Sequence, residues 1–130
     1  MTAPTLGLSH VALKVRDLDR AVNFYEHAFG TRQYVREPRT AQVLGPGPTD
    51  VIAFELMPES AGQQGGIIHF GLRLTGPERI DEVLQRVVAA GGSVIKRGDF
   101  GNNQPFAFVQ DPDGYEIEIW HENTPPHAPP

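Results

Sequence analysis

The chain has 130 residues, 39% of them hydrophobic and 21% charged, with a formal net charge of −5 and no cysteine. That length suits one domain with its own core, and an acidic chain without a basic run argues against nucleic acid as a partner. Without cysteine there is no disulfide framework, no thiolate nucleophile and no thiolate metal ligand, so any metal must be held by histidine and carboxylate. The N-terminal MTAPTLGLSH has no basic-then-apolar signature and no run reaches membrane-spanning length, so a soluble cytoplasmic protein without a membrane partner is expected.

From Leu8 to Val15 the alternation is that of a strand, with Val11, Leu13 and Val15 on one face and His10, Ala12 and Lys14 on the other. Asp17 or Asp19 can cap the following helix, whose apolar positions run from Ala21 to Phe29 until Gly30 stops it. One or two short strands are expected between Thr31 and Leu44. The break Gly45-Pro46-Gly47-Pro48 then precedes a strand over Val51 to Met57, with Glu55 opposite the face of Ile52, Phe54 and Leu56. Residues from about 59 to 66 are polar and glycine-rich and read as a linker. A strand is expected from Ile67 to Leu74, a helix from Pro77 to Ala90, and a stop at Gly91-Gly92. Val94 to Lys96 and Phe106 to Val109 read as strands around the loop Gly98 to Pro105. Asp111-Pro112-Asp113-Gly114 is a turn, and Tyr115 to Trp120 the last strand. The tail over 123–130 holds four prolines and is expected to be disordered or an arm on a partner.

The second half repeats the first. A shift of 59 residues lays His10-x-x-Leu13-Lys14-Val15 on His69-x-x-Leu72-Arg73-Leu74, and a shift of 63 lays Phe54-Glu55-Leu56 on Ile117-Glu118-Ile119. Each half thus opens on a strand histidine and closes on a strand glutamate. The expected class is α+β: two βαβββ-like units, about 6–58 and 67–122, in a single domain.

A carboxylate among apolar strand neighbours needs compensation if its face is buried. Two halves facing each other would gather His10, Glu55, His69 and Glu118. Two imidazoles and two carboxylates suit one divalent transition metal, Ni, Co, Zn, Mn or Fe. An octahedral ion with four protein ligands keeps two positions open, which favours catalysis over a structural role. Lys14 and Arg73 each follow a histidine by four residues on the same face and are candidates to hold an anionic substrate group. Asn102 and Asn103, in the loop before Pro105, are candidate substrate contacts of a lid. Trp120 shares the face of Glu118. His27, His121 and His127 are read as surface residues.

The pattern His10-x-x-Leu-Lys-Val-x-Asp-Leu-x-Arg-Ala-x-x-Phe-Tyr, with Gly30, His69 and Asp111-Pro112-Asp113-Gly114-Tyr115-x-Ile117-Glu118, resembles the vicinal oxygen chelate superfamily. That superfamily includes glyoxalase I, extradiol dioxygenases and bleomycin-resistance proteins. The resemblance implies paired βαβββ modules forming a cup-shaped mixed sheet around a metal with helices on the outer face, a small-molecule substrate and often a homodimer whose site uses both chains. Glu55 occupies the position of the fourth ligand in glyoxalase I-like members, which implies a metal-dependent lyase or isomerase that stabilises an enediolate next to a carbonyl, with Glu118 or Glu55 as general base. The alternatives are an Fe(II) extradiol-type dioxygenase using His10, His69 and Glu118, and a non-catalytic drug-binding or resistance protein. Lys14, and Met57-Pro58-Glu59 after the fourth ligand, depart from the glutathione-binding residues of glyoxalase relatives.

Overall fold

The computed structural model describes residues 4–47 and 49–124. Pro48, His127 and most of the proline-rich tail lie outside the described residues. The first module runs β1 (His10–Val15), α1 (Leu18–Phe29), β2 (Arg32–Arg36), β3 (Thr40–Leu44) and β4 (Val51–Leu56). The second runs β5 (Phe70–Arg73), α2 (Ile80–Ala89), β6 (Ser93–Asp99), β7 (Pro105–Gln110) and β8 (Glu116–Trp120). Each forms a four-stranded mixed sheet, ordered β1-β4-β3-β2 and β5-β8-β7-β6. First and last strands pair in parallel, and the other pairs are antiparallel.

Local chemistry sets the element ends. Asp17 caps α1 by accepting a hydrogen bond from the Arg20 N–H, and Gly30, at φ 73°, closes the helix by donating to the Glu26 carbonyl. Pro77 opens a 3₁₀ turn that runs into α2, because a proline at a helix start gives up only an N–H that has no partner there. β5 is shorter than the alternation predicts: it pairs only from Phe70 to Arg73, and Ile67, Ile68 and His69 precede it. β6 is longer than Val94 to Lys96, reaching Asp99 along β7.

One core serves both modules. It joins Leu13, Val15, Phe24, Tyr25 and Phe54 of the first to Val87, Val109, Ile117 and Ile119 of the second. The turn after β7 bolts the halves together. Asp113 Oδ1 accepts from the Arg16 backbone N–H at 3.0 Å and from the Arg20 guanidinium at 3.0 Å. Tyr115 donates its hydroxyl hydrogen to the Lys14 carbonyl at 2.7 Å. Among the described residues, no helix is long and apolar enough to cross a membrane.

Candidate functional site

Strand alternation decides which residues share the open faces. On β8, Ile117 and Ile119 are buried in the core, so Glu118 and Trp120 project to the other side. Gly71 pairs with Glu118 in the parallel register of β5 and β8, which sets His69, two residues earlier, on the same face. There His69 Nε2 stands 3.4 Å from Glu118 Oε1, with the two side chains 30% and 17% exposed. The other ring nitrogen, Nδ1, is buried without a hydrogen-bond partner.

The first module arranges its pair differently. His10 and Glu55 are exposed and also lie on the face away from the core. In the register of β1 and β4, however, His10 pairs with Val51 and Glu55 with Lys14. Glu55 is therefore four pairing positions from His10, roughly 13 Å along the strand. The residue related to His10 as Glu118 is to His69 is Ala53, the partner of Ala12. The chain thus brings His69 and Glu118 together and leaves His10 and Glu55 apart. Among the described residues, no three His, Asp or Glu side chains gather at one point.

His69 and Glu118 fit a divalent ion as two of its ligands. Donors about 2.1 Å from one ion and at right angles stand roughly 3 Å apart, close to the observed separation. An imidazole beside a carboxylate is the mixed nitrogen and oxygen set such ions take.

The candidate substrate residues are placed as follows. Lys14 is exposed and lies beside Glu55 in register. Arg73 is engaged already: its Nη2 is 2.8 Å from Glu122 Oε1, without the alignment of a hydrogen bond, and its guanidinium carbon lies 5.8 Å from the Trp120 ring centre. Asn102 and Asn103 adopt left-handed φ values of 57° and 58° in the loop between β6 and β7. That loop is held internally and to the chain end. Asp99 Oδ1 accepts from the Gly101 N–H, and Asn123 Nδ2 donates to the Asn102 carbonyl at 2.8 Å. His27 Nδ1 is 2.7 Å from the Asn23 carbonyl on its own helix, and His121 Nε2 is 3.1 Å from Asn123 Oδ1.

Three rings were not singled out from sequence. Phe108 meets the His69 imidazole edge-on at 5.1 Å between ring centres, and Phe106 and Phe100 continue the row. The signal was present in the spacing of Phe106 and Phe108, two apart on a strand and so on one face.

A profile of the Glyoxalase/Bleomycin resistance protein/Dioxygenase superfamily matches residues 7–119. The chain belongs to this superfamily. Among curated relatives, a lactoylglutathione lyase of Salmonella typhimurium is 30% identical, over 88% of this chain and 91% of its own length. A lactoylglutathione lyase of Arabidopsis thaliana is 31% identical over 90% of this chain but only 44% of its own length. The chain spans less than half the length of the plant lactoylglutathione lyases it matches. Among solved structures, the fosfomycin resistance protein FosX from Listeria monocytogenes superposes with a TM-score of 0.77 at 20% identity, over 92% of this chain and 95% of that one. The superfamily fold is the one expected from the repeat, two βαβββ units with mixed sheets.

Proposed function

We propose that the chain is a metal-dependent lyase or isomerase of glyoxalase type, with His69 and Glu118 as the fixed half of its metal site. The observation that carries this reading is the 3.4 Å approach of His69 Nε2 to Glu118 Oε1 on a partly shielded sheet face. The full-length similarity to a bacterial lactoylglutathione lyase supports the same reaction class. A bound divalent ion would polarise the substrate's carbonyl oxygen and offset the negative charge that builds there as the neighbouring carbon loses its proton. In this reading Glu118 takes that proton and returns it to the adjacent carbon. The Phe108 ring packs edge-on against the His69 imidazole and covers part of its surface, and less water around a charge strengthens its electrostatic interactions.

His10 completes the site from a second copy of the chain, and in the four-ligand form Glu55 has to approach it from its place roughly 13 Å along the strand. β1 and β5 are both edge strands of their sheets. Leu6, Leu8, Ile67 and Ile68, just ahead of those strands, are at least 68% exposed. Large apolar side chains exposed beside open strand edges are the kind of surface a protein partner covers, and in this reading a homodimer covers them.

A second reading is favoured by the register of β1 and β4. Because Ala53, not Glu55, stands opposite the residue two beyond His10, the ligand set is open to His10, His69 and Glu118 alone. That facial set of two histidines and one carboxylate serves non-haem Fe(II) in oxygen-dependent ring cleavage.

The experiment loads metal-free protein with Ni, Co, Zn, Mn or Fe(II), then measures bound metal, isomerisation of an α-oxoaldehyde–thiol adduct, and oxygen uptake with catechols. His69→Ala and Glu118→Gln are expected to lose metal and at least about 100-fold in rate. Isomerisation lost in Glu55→Ala supports the four-ligand form. Oxygen uptake that survives Glu55→Ala supports the second reading, and a protein that takes up no metal overturns both in favour of a binding or resistance protein.

A further inference from the structure

The sheet face that carries His69 and Glu118 is walled by aromatic rings. Phe106 and Phe108 alternate along β7 with the buried Ala107 and Val109, and pair with Trp120 and Glu118. Between ring centres, Phe108 lies 5.1 Å from His69 and 5.8 Å from Phe106. Phe100 stacks on Phe106 at 4.4 Å and meets Trp120 edge-on at 6.3 Å. Phe100 leaves 57% of its surface in water.

Two glycines shape this wall. Gly98 pairs with Phe106, and a Cβ there would come within 2.6 Å of its ring, so the ring lies down over the glycine. Gly71 sits between His69 and Arg73. A Cβ on it would meet the Glu118 carbonyl oxygen at 3.4 Å and Trp120 Nε1 at 3.7 Å. The missing side chain leaves a floor between imidazole and indole, in a concavity of about 530 Å³ lined also by Glu118, Arg73 and Asp50. An exposed apolar cluster beside polar groups is the informative kind of surface. Rings set for edge and stacked contact favour a further ring over an aliphatic chain. Arg73 is paired with Glu122, so among the described residues of this face its charge is not free to hold a long anionic tail.

We infer that this face takes a substrate whose aromatic ring is attached directly to its oxygen-bearing carbons. The ring lies over Gly71 against Trp120, with the oxygens toward Glu118 and toward His69, whose imidazole Phe108 backs edge-on. The inference rests on the proposed metal site only for the direction of the oxygens.

Trp120 is the chain's single tryptophan, so its fluorescence reports the wall directly. The full chain, metal-free and zinc-loaded, is titrated with mandelate and with lactate, which share a hydroxy-acid group and differ in the ring. Mandelate is expected to quench Trp120 saturably and to bind at least tenfold more tightly than lactate. Gly71→Val should abolish the quench, and Gly71→Ala weaken it, with melting temperatures within a few degrees of the parent. Equal binding of the two acids, no mandelate quench in either metal state, or a quench indifferent to Gly71→Ala in a folded variant overturns the inference. Ring-dependent quenching in protein that binds no metal upholds it while sinking the metal reading.

Discussion

The Asp111 carboxylate is buried, yet accepts three hydrogen bonds, from the Tyr25 hydroxyl at 2.7 Å and from the backbone N–H groups of Asp113 and Tyr115. Burial pushes its pKa up against the pull of those bonds, and pushes the Tyr25 phenol well above 10.0, helped by the charge on Asp111. Both shifts act in the same direction on stability. The folded chain holds each proton to higher pH than the unfolded chain, so stability is lost as pH rises through each raised value. The Tyr25 loss begins above about pH 10. Tyr25→Phe should cost about 1–3 kcal/mol at neutral pH, because it leaves Asp111 one bond short in a buried place, and should flatten the alkaline fall. Urea unfolding from pH 6 to 11 measures both. From the sequence, Asp111-Pro112-Asp113-Gly114 reads as a turn. Its use as a bolt between modules depends on Arg16, Arg20 and Tyr25, which lie more than 80 residues away in the chain and follow no pattern that alternation or helical spacing would reveal.

Strands and helices were largely legible, because period and turn chemistry are local. α1 begins at its acidic cap and ends at Gly30, and β8 presents Glu118 and Trp120 opposite Ile117 and Ile119. Ile117, wholly buried, should cost about 2–5 kcal/mol on mutation to alanine. Ile95 on the exposed β6 is 48% exposed, and its alanine variant should stay within about 0.5 kcal/mol. Equal losses in chemical denaturation would contradict this placement of the two faces. The end of β5 was not legible. Apolar alternation continues through Ile67 and Ile68, but β5 borders β8 alone and pairs only from Phe70 to Arg73. Side-chain pattern reports which face a residue takes, not where its partner strand stops.

If the proposed homodimer completes the site, the exposed apolar residues just ahead of the edge strands β1 and β5 link assembly to metal binding. Leu8→Lys and Ile68→Lys should shift the protein toward monomer in analytical ultracentrifugation and lower its metal affinity by at least about tenfold, while His69 and Glu118 keep their places. A stable dimer in both variants, or a monomer with undiminished affinity, would count against a site completed by a second copy. By itself the sequence determined the two modules, the faces that β1, β4 and β8 turn to the core, and the exclusion of thiolate chemistry. The tertiary structure decided that His69 meets Glu118 while His10 and Glu55 stand apart, and that aromatic rings wall the first pair. The reason is geometric. A strand that slides by two residues keeps every side chain on its face, so the repeat of histidine and glutamate reads the same in either register, and only the pairing of β1 with β4 separates them.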